Sequence, residues 1–214
     1  DLFEPGLMSL CSPDPQAFRP PEEKANVLHV GLPTNFKAAA FADPAHTEML
    51  RELEADIAAV TLDGKDVPVK LRAYDSLFVP LAKWSMLLTG NYRAVTLAGT
   101  RPIREAVHGD VDVSRSVYQF VDQIARKLGA DPADQVPFEK YARAAESLMK
   151  PSSAARAIAA GATDIERVDR LVQEIGRSLG MRHAAVDATV RVVNARLADN
   201  QMWAEIAAAS RNAA

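Results

Sequence analysis

The sequence predicts a mainly α-helical protein, in which a helical bundle follows a short extended N-terminal segment and a small β-hairpin. Three observations predict this class. Residues 1–42 are rich in proline and contain one strand-like stretch, 26–31. Residues 60–71 place two short β-branched runs around Asp63-Gly64, a dipeptide typical of hairpin turns. Beyond residue 78, apolar residues recur with helical spacing between capping residues and glycines.

Individual helices are predicted from local signals. Asp43 followed by Pro44 is typical of an N-cap with proline at the first helical position. The stretch 78–89 is apolar on nearly every side, so we expect it to be central and buried. Thr163 and Glu166 have the spacing of a capping box, which predicts that another helix begins at Thr163.

Composition excludes several classes of function. The chain has 214 residues, of which 48% are hydrophobic, and Lys plus Arg (25) fall below Asp plus Glu (28), for a net charge of -3. This balance does not favour a nucleic-acid-binding surface, which needs a basic excess. One cysteine, Cys11, and four scattered histidines exclude a disulfide framework and a cysteine-cluster metal site. We therefore expect a cytoplasmic protein with no bound metal and neither nucleic acid nor membrane as a partner.

Lys83 is the most informative residue for chemistry. No GxGxxG, GxxxxGK[ST] or GxSxG pattern occurs in the sequence, so neither a phosphate-binding loop nor a nucleophile elbow is predicted. Lys83 lies inside the apolar stretch 78–89. A buried ammonium group can donate a proton to a substrate near neutral pH. The structural alternative is a lysine that extends its charged end to the surface along an apolar stem.

Three further polar positions have both a structural and a functional interpretation. Asn91 follows Lys83 by eight residues, about 80° around a regular α-helix, and could orient a carboxylate or cap the helix after Gly90. The pair 152–153, Ser-Ser, could hold an anionic group at a helix start or act only as an N-cap. Asp164 is explained by the favourable helix dipole in a first turn, so its spacing alone does not indicate catalysis.

These residues together resemble a known family. The stretch from Asp75 to Asn91 resembles the segment with which ketopantoate reductases (2-dehydropantoate 2-reductases) begin their C-terminal helical domain. In that family an aspartate lies eight residues before a lysine and an asparagine eight residues after it, as do Asp75, Lys83 and Asn91. Ser-Ser at 152–153 and Thr-Asp-Ile-Glu at 163–166 resemble a later motif, in which a Ser-Ser pair and a Thr-Glu-Ile-Asp sequence each begin a helix.

The resemblance covers roughly residues 27–198 and implies an architecture. The expected fold is a helical bundle of the 6-phosphogluconate-dehydrogenase C-terminal type, with the hairpin and extended segment left from or adjoining a Rossmann domain. Residues 1–42 would be the trailing strand and exit segment of a missing nucleotide-binding domain. Residues 43–214 would be the helical substrate-binding and dimerisation domain. The implied cofactor is NADPH, bound mainly by a domain absent from this chain, and the implied assembly is a homodimer.

The resemblance also implies an activity, the NADPH-dependent reduction of a 2-oxo acid, as in the conversion of ketopantoate to pantoate for pantothenate and coenzyme A biosynthesis. Lys83 would be the general acid, and Asp164 would support the lysine and the substrate. Asn91 and Ser153 would bind the substrate. Leu87 stands where the family often has asparagine. The chain alone is expected to be inactive, and two alternatives remain: a non-catalytic helical interaction module, and a related 2-hydroxyacid dehydrogenase with another substrate.

Overall fold

The computed structural model describes residues 4–12, 17–18, 22–24, 27, 29–30 and 34–212. Within these ranges the strands are β1 (Ala17–Phe18), β2 (His29–Val30), β3 (Thr34–Ala39), β4 (Thr61–Leu62), β5 (Lys65–Asp66), β6 (Val69–Tyr74), β7 (Val95–Thr96) and β8 (Gly99–Thr100). The helices are α1 (Pro44–Ala59), α2 (Ala82–Met86), α3 (Ile103–His108), α4 (Val111–Lys127), α5 (Phe138–Ala145), α6 (Ser153–Ala159), α7 (Val168–Ser178) and α8 (Ala184–Asn212). The predicted mainly helical class is confirmed.

A small βαβ unit precedes the helical part. Strands β3 and β6 pair in parallel, from Thr34 opposite Val69 to Ala39 opposite Tyr74, and α1 followed by strands β4 and β5 connects them. Helix α1 begins as predicted, because the Asp43 carboxylate accepts a hydrogen bond from the Ala45 N–H group at 2.8 Å. The βαβ unit contains residues on both sides of the domain boundary expected at residue 42. The division of the chain into 1–42 and 43–214 stays a prediction.

The predicted hairpin forms, but it is shorter than expected. Strands β4 and β5 pair across a two-residue turn in which both Asp63 (φ 52°) and Gly64 (φ 71°) have positive φ, as this turn requires. The prediction that residues 67–71 form the returning strand is wrong, because the strand that pairs with β4 is β5. Pro68 has no N–H group with which to extend the ladder, and the following strand, β6, pairs with β3 instead. Of the predicted strand 26–31, the structure describes residue 27 and strand β2, and the remaining positions lie outside the described residues.

The predicted central helix is a continuous helical run whose hydrogen-bonding pattern changes along its length. It starts with a 3₁₀ turn (Val79–Leu81), continues through α2 and a π-helical turn (Leu87–Asn91), and ends with a second 3₁₀ turn (Tyr92–Ala94). Every residue of the π turn is buried. The expectation of a central, buried helix is therefore confirmed.

Helices α4, α6, α7 and α8 pack around this run to form the main core. Apolar side chains from all of them form one buried cluster, in which Leu88, Val121, Val172 and Val193 have no solvent exposure. A second cluster, between α3, α4 and α5, is built around two buried tyrosines, Tyr118 and Tyr141. The π turn contacts both clusters, since Leu87 and Leu88 belong to the first, and Tyr141 and Ile103 of the second lie against Gly90.

Helix α7 begins later than the capping-box pattern predicts. Its first residue is Val168, and Arg167 occupies the N-cap position without a side-chain capping bond. The Tyr92 hydroxyl accepts a hydrogen bond from the Val168 N–H group at 3.0 Å and so replaces the missing cap. The predicted start at Thr163 is wrong, because a tertiary partner satisfies this helix end at a different residue.

Candidate functional site

Lys83 and Asn91 stand at the two ends of one buried helical stretch. Lys83 is the second residue of α2 and is partly buried. Asn91 is the last residue of the π turn, and only 4% of its surface is exposed. The helix does not stop after Gly90, so Asn91 is not the C-terminal cap that its sequence also suggested.

The π turn changes the angle between these two residues. In a regular α-helix an offset of eight residues leaves two side chains about 80° apart. Here the Tyr92 N–H group bonds the Leu87 carbonyl, an i→i+5 pattern that adds one residue to the turn. An offset of eight then corresponds to about seven, or two full turns within about 20°. The π turn therefore brings Asn91 toward the helix face that carries Lys83.

The start of α6 is bonded directly to Asn91. The Ser152 hydroxyl donates a hydrogen bond to the main-chain carbonyl of Asn91 at 2.7 Å, in a buried position. The same hydroxyl accepts from the Ala155 N–H group at 3.1 Å, so the N-cap interpretation of Ser152 is confirmed. Ser153 is the first residue of α6. Ser152 thus caps the start of α6 and bonds it to the last residue of the π turn, and Ser153 follows directly in the sequence.

The side-chain amide of Asn91 has an unused donor. Its Nδ2 atom is inaccessible to solvent and has no hydrogen-bond partner among the described residues. A buried donor without a partner costs about 1–3 kcal/mol, so such groups are usually satisfied by an ordered water, an ion or a ligand. A carbonyl or carboxylate oxygen is the chemistry that would accept from this amide.

The segment that carries Asp164 is tied to the same run by Tyr92. The Tyr92 hydroxyl donates to the Glu166 carbonyl at 2.6 Å, in addition to accepting from Val168. From the other side, Gln201 of α8 donates to the Thr163 carbonyl at 3.0 Å. Asp164 itself is exposed. Its role therefore stays a prediction, although the main chain on both sides of it is held in place.

Asp75, the first residue of the spacing that resembles the reductase family, lies at the surface. Its carboxylate pairs with Arg51 of α1 at 2.7 Å, and the Asp75 side chain is 89% exposed. An exposed ion pair of this kind contributes little to stability. In this structure the residue links the βαβ unit to the chain that leads into the helical run.

The part of the chain that the structure describes does not indicate a metal site, a nucleophilic cysteine or a membrane span. No group of three or more His, Cys, Asp or Glu side chains is placed to hold a metal ion there. Partial burial raises the pKa of the Cys11 thiol, which is the opposite of what a nucleophilic cysteine needs. None of the described helices combines the length and apolar character that a membrane span requires.

Sequence reasoning did not identify Tyr92, Gly90 or Tyr141 as parts of the site. Tyr92 connects Asn91 to the segment before α7, whereas Tyr141 contacts the π turn from α5. The one available signal was Gly90, because a glycine inside an apolar helix often marks the close approach of another group. Nothing in the spacing indicated which residue approaches it.

Comparison with known proteins identifies the fold. No family model matches the chain, and no curated protein matches it by sequence. Its structure is similar to the crystal structure of a PanE/ApbA family ketopantoate reductase from Ralstonia eutropha JMP134, with a TM-score of 0.60 and 20% sequence identity over 81% of this chain. The chain spans 55% of that protein's length. The resemblance to ketopantoate reductases is therefore confirmed at the level of the fold, which this chain shares with a member of that family.

Proposed function

We propose that this chain is the substrate-binding, helical portion of an NADPH-dependent 2-oxo acid reductase that resembles ketopantoate reductase. Its substrate would be a small 2-oxo acid such as ketopantoate, reduced to pantoate. Lys83 would be the general acid, Asn91 and Ser153 would bind the substrate, and Asp164 would support the lysine and the substrate. We also propose that the protein works as a homodimer, which sedimentation analysis would test.

The observation that carries the proposal is the bond from Ser152 to the Asn91 carbonyl. It is a buried bond between residues 61 positions apart in the sequence, and Ser153 is the residue that follows Ser152 at the start of α6. Because Asn91 and Lys83 belong to one helical run, three of the four proposed residues are fixed relative to one another by main-chain geometry. Such positioning on rigid elements is what substrate orientation requires.

The chemistry of these groups suits a 2-oxo acid. The unpartnered Nδ2 of Asn91 can donate to a substrate carboxylate or carbonyl oxygen. When the ketone is reduced, negative charge develops on its oxygen. A partly desolvated ammonium group at Lys83 would stabilise that charge and transfer a proton to it, giving the hydroxyl of the 2-hydroxy acid.

The turn that enters α1 does not fit the pyrophosphate of a dinucleotide. The turn from β3 into α1, residues 40–43, contains no glycine that would let the backbone approach a pyrophosphate. The Asp43 carboxylate already caps α1, and its negative charge would repel a phosphate there. The proposal therefore assigns NADPH to a nucleotide-binding domain outside this chain, and we expect no saturable NADPH binding by the 214-residue chain in a fluorescence titration.

One observation favours a related reductase with a substrate other than ketopantoate. Leu87 occupies the position where the resembled family often has asparagine, and it is buried in the main core with 5% exposure. The site therefore lacks one polar group that could bind substrate. A comparison of kcat/KM for ketopantoate and for 2-oxo acids without a hydroxyl group would distinguish the two substrates.

The decisive experiment measures reductase activity in the full natural protein that contains this sequence, as loss of NADPH absorbance with ketopantoate. Lys83→Ala should lower kcat by about 10²–10⁴-fold, the usual contribution of a general acid. Lys127→Ala, which removes an exposed lysine at the end of α4, is the matched control and should have no effect. Retained activity in Lys83→Ala, or no turnover of any 2-oxo acid by the intact protein, would refute the proposal.

Asn91→Ala gives an independent test of substrate binding. Ser152 bonds the main-chain carbonyl of Asn91, so the substitution removes the amide and leaves that bond in place. The loss of one or two hydrogen bonds to a charged carboxylate predicts a KM higher by about 10–100-fold, with a smaller change in kcat. An unchanged KM would show that the amide does not contact the substrate.

A further inference from the structure

Tyr141 makes an unusually close approach to the π turn. Its side chain is buried, and its hydroxyl donates a hydrogen bond to the main-chain carbonyl of Met86 at 3.1 Å. A Cβ atom placed on Gly90 would lie 2.0 Å from the Tyr141 hydroxyl oxygen and 3.0 Å from a methyl carbon of Ile103. Only glycine leaves room for the hydroxyl at this point.

The hydroxyl lies where the α-helical hydrogen-bond ladder is interrupted. In a regular α-helix the Met86 carbonyl accepts from the N–H group of Gly90. One residue later the Tyr92 N–H group bonds the Leu87 carbonyl in the i→i+5 pattern. Insertion of a side chain into the i→i−4 ladder is a known cause of local departure from α-helical geometry. The contact therefore gives a physical reason for the π turn at this position.

The tyrosine is suited to a fixed structural contact. Burial raises the pKa of the Tyr141 hydroxyl, so it stays protonated and has one proton to donate. Its ring stacks on that of Tyr118, with ring centroids 5.6 Å apart. The ring is thus held in one orientation by neighbours in the second cluster, and the hydroxyl is directed at the Met86 carbonyl.

We infer that Tyr141 is a positioning residue, whose hydroxyl, seated over Gly90, maintains the π turn that brings Asn91 toward the face of Lys83. The functional part of this inference rests on the proposed function, because the relative orientation of Asn91 and Lys83 matters only if both act on one substrate. Its structural part does not depend on that function. Loss of the hydroxyl should allow the α-helical register to return and should rotate Asn91 away by about 100°, from about 20° short of two full turns to about 80° beyond them.

The first test is made on the chain without ligand, by NMR. The scalar coupling across the hydrogen bond from the Tyr92 amide nitrogen to the Leu87 carbonyl carbon reports the π turn directly. We expect this coupling in the unmodified chain and its loss in Tyr141→Phe. Tyr118→Phe is the matched control, since it removes another buried hydroxyl, bonded to the Val136 carbonyl at 2.7 Å, and should retain the coupling. A retained coupling in Tyr141→Phe would overturn the inference.

The second test measures pantoate binding by the same chain, followed at the Asn91 side-chain amide. Tyr141→Phe should weaken binding at least about fivefold, whereas Tyr118→Phe should change it less than about twofold. Equal weakening by both substitutions would indicate a general loss of packing and would contradict a positioning role. If the unmodified chain binds no pantoate, the assignment of pantoate to this site fails, and the coupling measurement still decides the structural inference.

A third test, by thermal melting, measures the contact between Gly90 and the Tyr141 hydroxyl through the stability of a double variant. Gly90→Ala alone should be strongly destabilised, because its Cβ would collide with the hydroxyl oxygen. With Tyr141→Phe added, the nearest tyrosine atom becomes the ring carbon at 3.3 Å, a contact that small shifts can relieve. We expect the double variant to be more stable than Gly90→Ala. If it is not, the hydroxyl does not determine the geometry at Gly90.

Discussion

Removal of the Tyr92 hydroxyl should lower the stability of the protein by more than the loss of one hydrogen bond, because this hydroxyl makes two. The hydroxyl donates to the Glu166 carbonyl at 2.6 Å and accepts from the Val168 N–H group at 3.0 Å. Tyr92 itself is buried, with 3% exposure. Tyr92→Phe therefore leaves one acceptor and one donor without their partner. At about 1–3 kcal/mol for each unsatisfied buried group, we expect a loss of about 2–6 kcal/mol.

Urea unfolding and thermal melting would measure this loss. For a chain of this size, about 2–4 °C per kcal/mol corresponds to a Tm lower by about 6–12 °C for a loss of 3 kcal/mol. Tyr118→Phe removes one hydroxyl bond rather than two and should cost about half as much. Amide hydrogen exchange should increase at Val168 in Tyr92→Phe and remain unchanged there in Tyr118→Phe.

The result that refutes this reasoning is specific. If Tyr92→Phe and Tyr118→Phe destabilise the protein equally, and the Val168 amide stays protected, then Tyr92 does not supply the missing cap of α7. In that case the segment that carries Asp164 would be held mainly by the α8 contact at Thr163.

Three further predictions concern stability. Ser152→Ala removes both the N-cap of α6 and the bond to the π turn, and should cost about 2–4 kcal/mol in urea unfolding; a loss below about 1 kcal/mol would contradict the buried geometry. Gly129→Ala should lower the free energy of unfolding by about 1–3 kcal/mol more than Gly161→Ala does. Both glycines have positive φ, but only at Gly129 would a Cβ atom meet Phe78, at 2.9 Å. Equal losses of stability in thermal melts would count against this contact. Burial lowers the pKa of His183 from its usual value near 6.5, so as the pH falls the unfolded chain takes up the proton first, and the folded state should lose stability as the pH drops through and below 6.5. In His183→Gln the urea midpoints measured across this range should lack that fall. The same pH profile in both proteins would refute a role for His183.

The order and type of most elements could be predicted because their signals are local. Asp43 and Pro44 start α1 by a bond between neighbouring residues, and the Asp63-Gly64 turn forms where positive φ is tolerated. The apolar stretch 78–89 identified the buried central run for the same reason. In each case the residues that decide the structure are adjacent in the sequence.

The candidate site was predictable in part. The spacing of Lys83 and Asn91 placed both on one helix, and the N-cap was one of the two interpretations of the Ser-Ser pair. The capping-box start at Thr163 was wrong, because the hydroxyl of Tyr92, 76 residues from Val168, satisfies the end of α7 instead. A local pattern cannot indicate which distant group will supply a hydrogen bond.

By itself, the sequence determined the mainly helical class, the hairpin turn and the resemblance that singled out the candidate residues. Only the tertiary structure decided the parallel pairing of β3 with β6, the later start of α7 and the π turn that reorients Asn91. The physical reason is the same in all three cases. In each case a main-chain donor or acceptor bonds a group far away in the sequence, and that group is brought there by packing of the whole chain rather than by local preference.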